Sequence, residues 1–143
     1  MTKRRILLVD DEQNFTEALG KRLRLRDMHV DTAASGKEAL ERIRENDYDA
    51  ALLDLSMPGW DGLDTMKHLK AERADLQIIL LTGYATVRNG VDAMKLGALD
   101  VLEKPADFEE LLGKVEEAFV EKDKLVRNAM NQSISEITRK HGW

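Results

Sequence analysis

A chain of 143 residues with 43% hydrophobic content has the length of one domain and enough apolar material to bury a core without disulfides or a structural metal. It contains no cysteine, which excludes a disulfide framework and cysteine-based metal or redox chemistry and fits a reducing compartment. The net charge of −5, with acids and bases interleaved along most of the chain, produces no field of the kind that recruits nucleic acid.

At the N-terminus, Met1-Thr2-Lys3-Arg4-Arg5 has the charge of a signal-peptide n-region, but Ile6-Leu7-Leu8-Val9 is too short for an h-region. No apolar stretch is long enough to span a membrane. The expectation is a soluble cytoplasmic protein.

Five short runs rich in Val, Ile and Leu alternate with helical patterns, the signature of βα units feeding a parallel sheet. The predicted strands are Arg5 to Val9, Met28 to Thr32, Ala50 to Asp54, Gln77 to Leu81 and Leu99 to Glu103. The first, third and fourth are nearly continuous apolar runs, as strands covered on both faces should be. The second is polar enough to predict an edge.

Between them, helical spacing places Phe15, Ala18, Leu19 and Leu23 on one face of a first helix and Ala39, Leu40 and Ile43 on a second. Leu63, Met66 and Leu69 mark a third, and Val87, Val91 and Met94 a fourth. Phe108, Leu111, Leu112, Val115 and Phe119 predict a fifth that packs on the sheet. Ser35-x-x-Glu38 and Asp107-x-x-Glu110 are set out as capping boxes, and Gly97 as a helix terminator. The basic run Lys21 to Arg26 reads first as the last turn of a helix, where cations complement the carbonyl end, and second as a phosphate-binding patch.

Beyond about Val120 the chain turns polar, yet Val126, Met130, Ile134 and Ile137 keep one helical face apolar. Two readings stand: a frayed or surface-docked tail, or a continuation of the fifth helix that pairs with another chain. The boundary drawn here is residues 1–120 for the main domain and 121–143 for a C-terminal helical extension or linker.

The chemistry lies where the runs stop. Asp10-Asp11, Asp54, Thr82 and Lys104 each close an apolar run, and in an open parallel sheet the carboxyl ends of the strands form one crevice. Singly, such residues usually cap a helix or face solvent. Together, three carboxylates would repel one another by roughly 4 kcal/mol per close pair at an effective dielectric near 20 unless a cation neutralised them. All-oxygen ligands that leave room for water and phosphate suit Mg²⁺ or Mn²⁺ better than zinc. Asp54 is then a ready nucleophile toward phosphorus, since a carboxylate needs no general base. Lys104 and Thr82 offer an ammonium and a hydroxyl to the phosphoryl oxygens, and Gly83 a closely approachable N–H.

The stretches Leu8-Val9-Asp10-Asp11-Glu12, Asp54-Leu55-Ser56-Met57-Pro58-Gly59-Trp60-Asp61-Gly62, Leu81-Thr82-Gly83-Tyr84-Ala85 and Glu103-Lys104-Pro105 resemble, in order and spacing, the response-regulator receiver domain of bacterial two-component signalling. The resemblance covers residues 3 to about 120. It implies a flavodoxin-like, doubly wound five-stranded parallel sheet of order 2-1-3-4-5 with five helices. It also implies Asp54 as phosphoacceptor, and Asp11, Asp54 and the Ser56 carbonyl as Mg²⁺ ligands, with Asp10 acting through metal-bound water. Thr82 and Lys104 would hold the phosphoryl group, and Lys104-Pro105 would be cis.

On the same resemblance the phosphoryl donor is a histidine kinase or phosphotransfer protein. The domain is then no enzyme in the ordinary sense but a switch that catalyses its own phosphorylation and dephosphorylation. Direct contact with nucleic acid or membrane is not expected; if the apolar-striped tail is a linker helix, a homodimer through that C-terminal helix is.

One position departs from the pattern. Relatives usually carry Tyr or Phe three residues before the lysine, where this chain has Val101, so the usual coupling of the threonine to an aromatic rotamer cannot run in its common form. Tyr84 and Trp60 read as loop-packing residues rather than substitutes. Two rival readings remain: a dehalogenase-like phosphatase, which would want a second Asp where Ser56 stands, and a receiver-like interaction module that takes no phosphate. The run from Tyr84 to Lys104 is similar to receivers attached to enhancer-binding transcription activators.

Overall fold

The computed structural model describes residues 3–55, 57, 59–83 and 87–140, the side chains of residues 87–89 and 138–140 excepted. Strands β1 (Arg5–Val9), β2 (His29–Ala33), β3 (Ala50–Asp54), β4 (Gln77–Thr82) and β5 (Asp100–Glu103) alternate with helices α1 (Gln13–Arg24), α2 (Gly36–Glu45), α3 (Gly62–Glu72), α4 (Val87–Lys95) and α5 (Phe108–Lys140). All four pairings are parallel and the order is β2-β1-β3-β4-β5, the flavodoxin-like arrangement. The polar second run is indeed an edge strand, one residue later than its sequence pattern suggests. An edge strand needs no continuous apolar run, and here only Val30 and Ala33 are buried while His29 is exposed.

Two cores flank the sheet. Leu7, Val9, Ala51, Leu53, Ile78 and Leu80 face α2 and α3, while Ile6, Leu8, Leu52, Ile79 and Leu81 face α1 and α5. Because β3 and β4 are buried along their whole length, their runs read as continuous rather than alternating. The two caps signalled by the sequence, at Ser35 and Asp107, form, and Asp61 adds a third that the sequence reading did not single out. Ser35 Oγ accepts the Glu38 N–H at 3.2 Å, Asp61 Oδ1 that of Asp64 at 2.9 Å, and Asp107 Oδ2 that of Glu110 at 3.1 Å.

Gly97 ends α4 at φ +99°, its N–H donating to the Met94 carbonyl and that of Ala98 to the Ala93 carbonyl. This is a Schellman close that an L side chain would strain. The basic run at residues 21–26 closes α1, with Arg24 donating to the Val30 carbonyl at 2.8 Å and Arg26 paired with Glu109 at 3.1 Å.

The apolar face expected for α4 is corrected. Val91 and Met94 are about half exposed, the side chain of Val87 lies outside the described residues, and among the described residues of that helix Ala93 is the buried one. A small side chain lets the helix sit close to the sheet, which turns its larger residues outward. In α1, similarly, Ala18 is exposed and Thr16 buried. The fifth helix does not stop at 120 but continues unbroken to Lys140. Among the described residues no helix is long and apolar enough to cross a membrane.

Candidate functional site

Strand register builds the site. Val9 pairs with Leu53, so Asp10 and Asp54 leave adjacent strands at one height. Thr82 ends β4 opposite Glu103, and the next residue, Lys104, donates its N–H to the Thr82 carbonyl at 2.7 Å. The Asp10 N–H in turn donates to the Ala33 carbonyl of β2 at 3.0 Å. All five groups singled out from the sequence therefore stand on one edge of the sheet.

Asp10, Asp11 and Asp54 each present a carboxylate oxygen within 4.8 Å of the other two. Asp10, Asp54 and Thr82 are buried, while Asp11 reaches solvent. The Lys104 ammonium lies 2.6 Å from Asp10 Oδ2, 3.8 Å from Glu12 Oε1 and 4.0 Å from Asp54 Oδ1. The second Asp10 oxygen accepts the Glu12 N–H at 2.9 Å.

Three carboxylates around one ammonium leave the cluster negative, and at this spacing each carboxylate pair costs roughly 3 to 4 kcal/mol at an effective dielectric near 20. A hard divalent cation removes that repulsion, and the donor set, all carboxylate oxygen and open to solvent on the Asp11 side, fits Mg²⁺. The Lys104 ammonium on Asp10 offsets part of that charge.

The segment that follows Asp54 is held by backbone. Gly62 donates its N–H to the Leu55 carbonyl at 2.8 Å, and a Cβ on Gly62 would fall 2.4 Å from the Leu55 Cα. Any side chain at that position would push the loop away from the phosphoacceptor candidate. Trp60 stacks on His68 of α3, ring centroids 3.9 Å apart, which gives this aromatic the packing role read from the sequence. Ser56 and Tyr84 lie outside the described residues. The Lys104-Pro105 peptide is cis.

Two residues escaped the sequence reading. Glu12 contributes a further carboxylate near Lys104, and the Phe15 ring lies 4.1 Å from the Lys104 ammonium. Phe15 was legible only as a helix core position. Its place four residues after Asp11, one turn above the acidic pair, was the available signal. Val101 pairs with Leu80 in the sheet and packs half-buried against the core on the α2–α3 side.

Comparison with known proteins agrees with this geometry. The family model described as the response regulator receiver domain matches residues 6–116. The transcriptional regulatory protein ZraR of Escherichia coli strain K12 is 40% identical over 113 residues, covering 79% of this chain and 26% of that protein. This chain thus spans about a quarter of that relative's length.

Among solved structures, a CheY-like receiver domain protein from Methanospirillum hungatei JF-1 superposes with a TM-score of 0.82 at 29% identity, covering 86% of this chain and 98% of that one. The response regulator TrrA from Thermotoga maritima, solved in complex with Mg²⁺-BeF, does so with a TM-score of 0.73 at 36% identity, covering 80% and 98%. With the order of the sheet, the acidic edge and a family match over most of its length in agreement, this chain belongs to the response-regulator receiver-domain family.

Proposed function

We propose that this domain accepts a phosphoryl group on Asp54 from a partner histidine kinase or phosphotransfer protein in a Mg²⁺-dependent reaction, and that the adduct switches a protein-interaction surface. The observation that carries the reading is the convergence of Asp10, Asp11 and Asp54 beside Lys104. Asp11, Asp54 and the Ser56 carbonyl would hold the metal, with Asp10 acting through water. When bound, Mg²⁺ neutralises the carboxylates and the charge on the transferring oxygens.

In the transfer, an Asp54 oxygen forms the bond to phosphorus as the phosphorus–nitrogen bond of the donor phosphohistidine breaks, and the imidazole leaves with its electron pair. Lys104 then stabilises charge on the phosphoryl oxygens, and the Thr82 hydroxyl and Gly83 N–H donate to them. Lys104 is poised for this: its ammonium already bridges toward both Asp10 and Asp54.

The donor also has a landing place. An apolar cleft of about 160 Å³, lined by Phe15, Leu19, Arg22, Ala106 and Phe108, opens beside Lys104's neighbour Phe15. It would receive a side chain of the kinase. Residues 1–120 act as the receiver and 121–143 as its extension, and output is transcriptional in the longer protein that a relative such as ZraR exemplifies. With Val101 at the usual aromatic position, phosphorylation stays intact while the relay to the surface takes another route.

Incubation with Mg²⁺ and a small acyl phosphate, followed by intact mass, tests the proposal. The wild type gains one phosphoryl group and Asp54→Asn gains none. No adduct in the wild type would favour an interaction module, and multiple turnovers of a phosphomonoester would favour a phosphatase.

A further inference from the structure

The chain contains three phenylalanines, and each has a cation over its ring. Two of these cations are arginines that tie α5 to the segments packed on it: Arg4 lies 5.0 Å from the Phe119 ring centroid and Arg22 3.9 Å from that of Phe108. The third is different. Over Phe15 the cation is the Lys104 ammonium, 4.1 Å from the centroid, and that ammonium also stands beside the phosphoacceptor candidate.

Helix α1 holds the ring in place. Phe15 is its third residue, Leu19 and Leu23 one and two turns on are buried, and Phe15 packs half-buried against the core they belong to. The Lys104 side chain is 15% exposed and its four-carbon stem is flexible, so the groups around the ammonium decide where it rests. Asp10 takes it at 2.6 Å, within hydrogen-bond range, whereas Glu12 at 3.8 Å and Asp54 at 4.0 Å attract it through charge.

The two kinds of attraction respond differently to a bound metal. A divalent ion on the acidic cluster offsets the charge of Asp10 and Asp54 and weakens their pull on the ammonium. A ring quadrupole carries no net charge for the ion to offset, and its attraction grows as water is excluded. The ring also has no acceptor lone pairs, so it holds the ammonium without competing with phosphoryl oxygens for the three N–H donors. An aliphatic side chain of similar size would fill the space and lack that attraction.

We infer that Phe15 is a positioning residue for phosphoryl transfer, its ring keeping the Lys104 ammonium beside Asp54 once a metal has offset the carboxylates. Resting on the phosphoacceptor reading, this gives Lys104 a neutral partner outside the acidic cluster. Because Phe15 also lines the apolar cleft between α1 and α5, a protein donor would report docking and positioning together. A small acyl phosphate reports positioning alone.

With Mg²⁺ and that donor, Phe15→Leu should slow Asp54 adduct formation about fivefold, and Phe15→Tyr, which keeps a ring, should react at nearly the wild-type rate. In the Lys104→Ala background Phe15→Leu should slow it no further, whereas a merely structural role would slow both backgrounds alike. In the unmutated protein the ring current of Phe15 should shift the Lys104 ε-methylene protons upfield of those of the other lysines, a measurement that needs neither variant nor phosphodonor. Phe15→Leu as fast as wild type, equal slowing in the Lys104→Ala background, or unshifted ε-protons would each overturn the inference. Shifted ε-protons in a wild type that takes no phosphoryl group would instead strike the phosphoacceptor reading, and the part of Phe15 in transfer with it.

Discussion

The two ends of the sheet gather the same kinds of side chain and use them differently. At the amino end, Arg4 takes both Asp123 oxygens at 2.9 and 2.7 Å, and Asp49 stands 3.5 Å away. There Lys122, 4% exposed, bridges Asp47 at 3.0 Å, Asp75 at 3.2 Å and the Tyr48 carbonyl at 3.3 Å. Each of these carboxylates has a cation in contact, and Lys122 ties two separate segments, at residues 47–48 and 75, to the root of the extension. At the carboxyl end, Asp10, Asp11 and Asp54 crowd within 4.8 Å of one another, and Lys104 stands within ion-pair reach of Asp10 and Asp54. Paired charge holds the fold together, and charge left in excess is available to bind an ion and a phosphoryl group.

Removing the cation at each end sharpens that contrast. Lys104→Ala should slow adduct formation from a small acyl phosphate about a hundredfold, the effect of losing one stabilising donor in the transition state. Its urea midpoint should change little, since the carboxylates left behind can recruit a metal. Equal adduct rates in mutant and wild type would remove Lys104 from the chemistry.

Lys122→Met should do the reverse. Loss of the buried ammonium should lower stability by about 1 to 2 kcal/mol, moderated because Asp47 and Asp75 keep their water. Adduct formation should be unaffected, and a slowed rate would mean the two ends are coupled.

The smallest effect concerns Asp31. Burial pushes its carboxyl up, but the Tyr48 hydroxyl, donating at 2.6 Å, together with His29 and Arg5, outweighs burial and holds it below the usual carboxylate range. Burial, then the hydrogen bond to Asp31, pushes the Tyr48 hydroxyl above its ordinary value.

The signs follow. The depressed carboxyl contributes stability at neutral pH that is lost as pH falls through its folded value, and the raised phenol contributes stability that is lost as pH climbs beyond the ordinary tyrosine value near 10. Tyr48→Phe should therefore cost about 1 kcal/mol at pH 7 and flatten both limbs of a stability–pH curve. A curve parallel to wild type would show that the pair contributes no pH dependence.

The places where sequence reasoning worked share a cause. The ends of apolar runs located Asp10, Asp54, Thr82 and Lys104, because in a parallel sheet a strand ends where its burial ends. Polarity marked β2 as the edge for the same reason. Failures came where packing overrode pattern: α4 buries Ala93 instead of Val91 and Met94 because closeness to the sheet favours the smaller side chain. Glu12 and Phe15 were missed because their role depends on where Lys104, ninety residues later in the chain, comes to rest.

By itself, then, the sequence determined the alternation of strands and helices, the caps, and the chemical types gathered at one edge, since these depend on local periodicity and on where apolar runs stop. Only the tertiary structure decided that the Lys104 ammonium sits closest to Asp10, that Lys122 is buried among loops at the opposite edge, and that the stripe beyond residue 124 is left uncovered. Each depends on distances between segments remote in the chain, which strand register and helix packing set and no local pattern encodes.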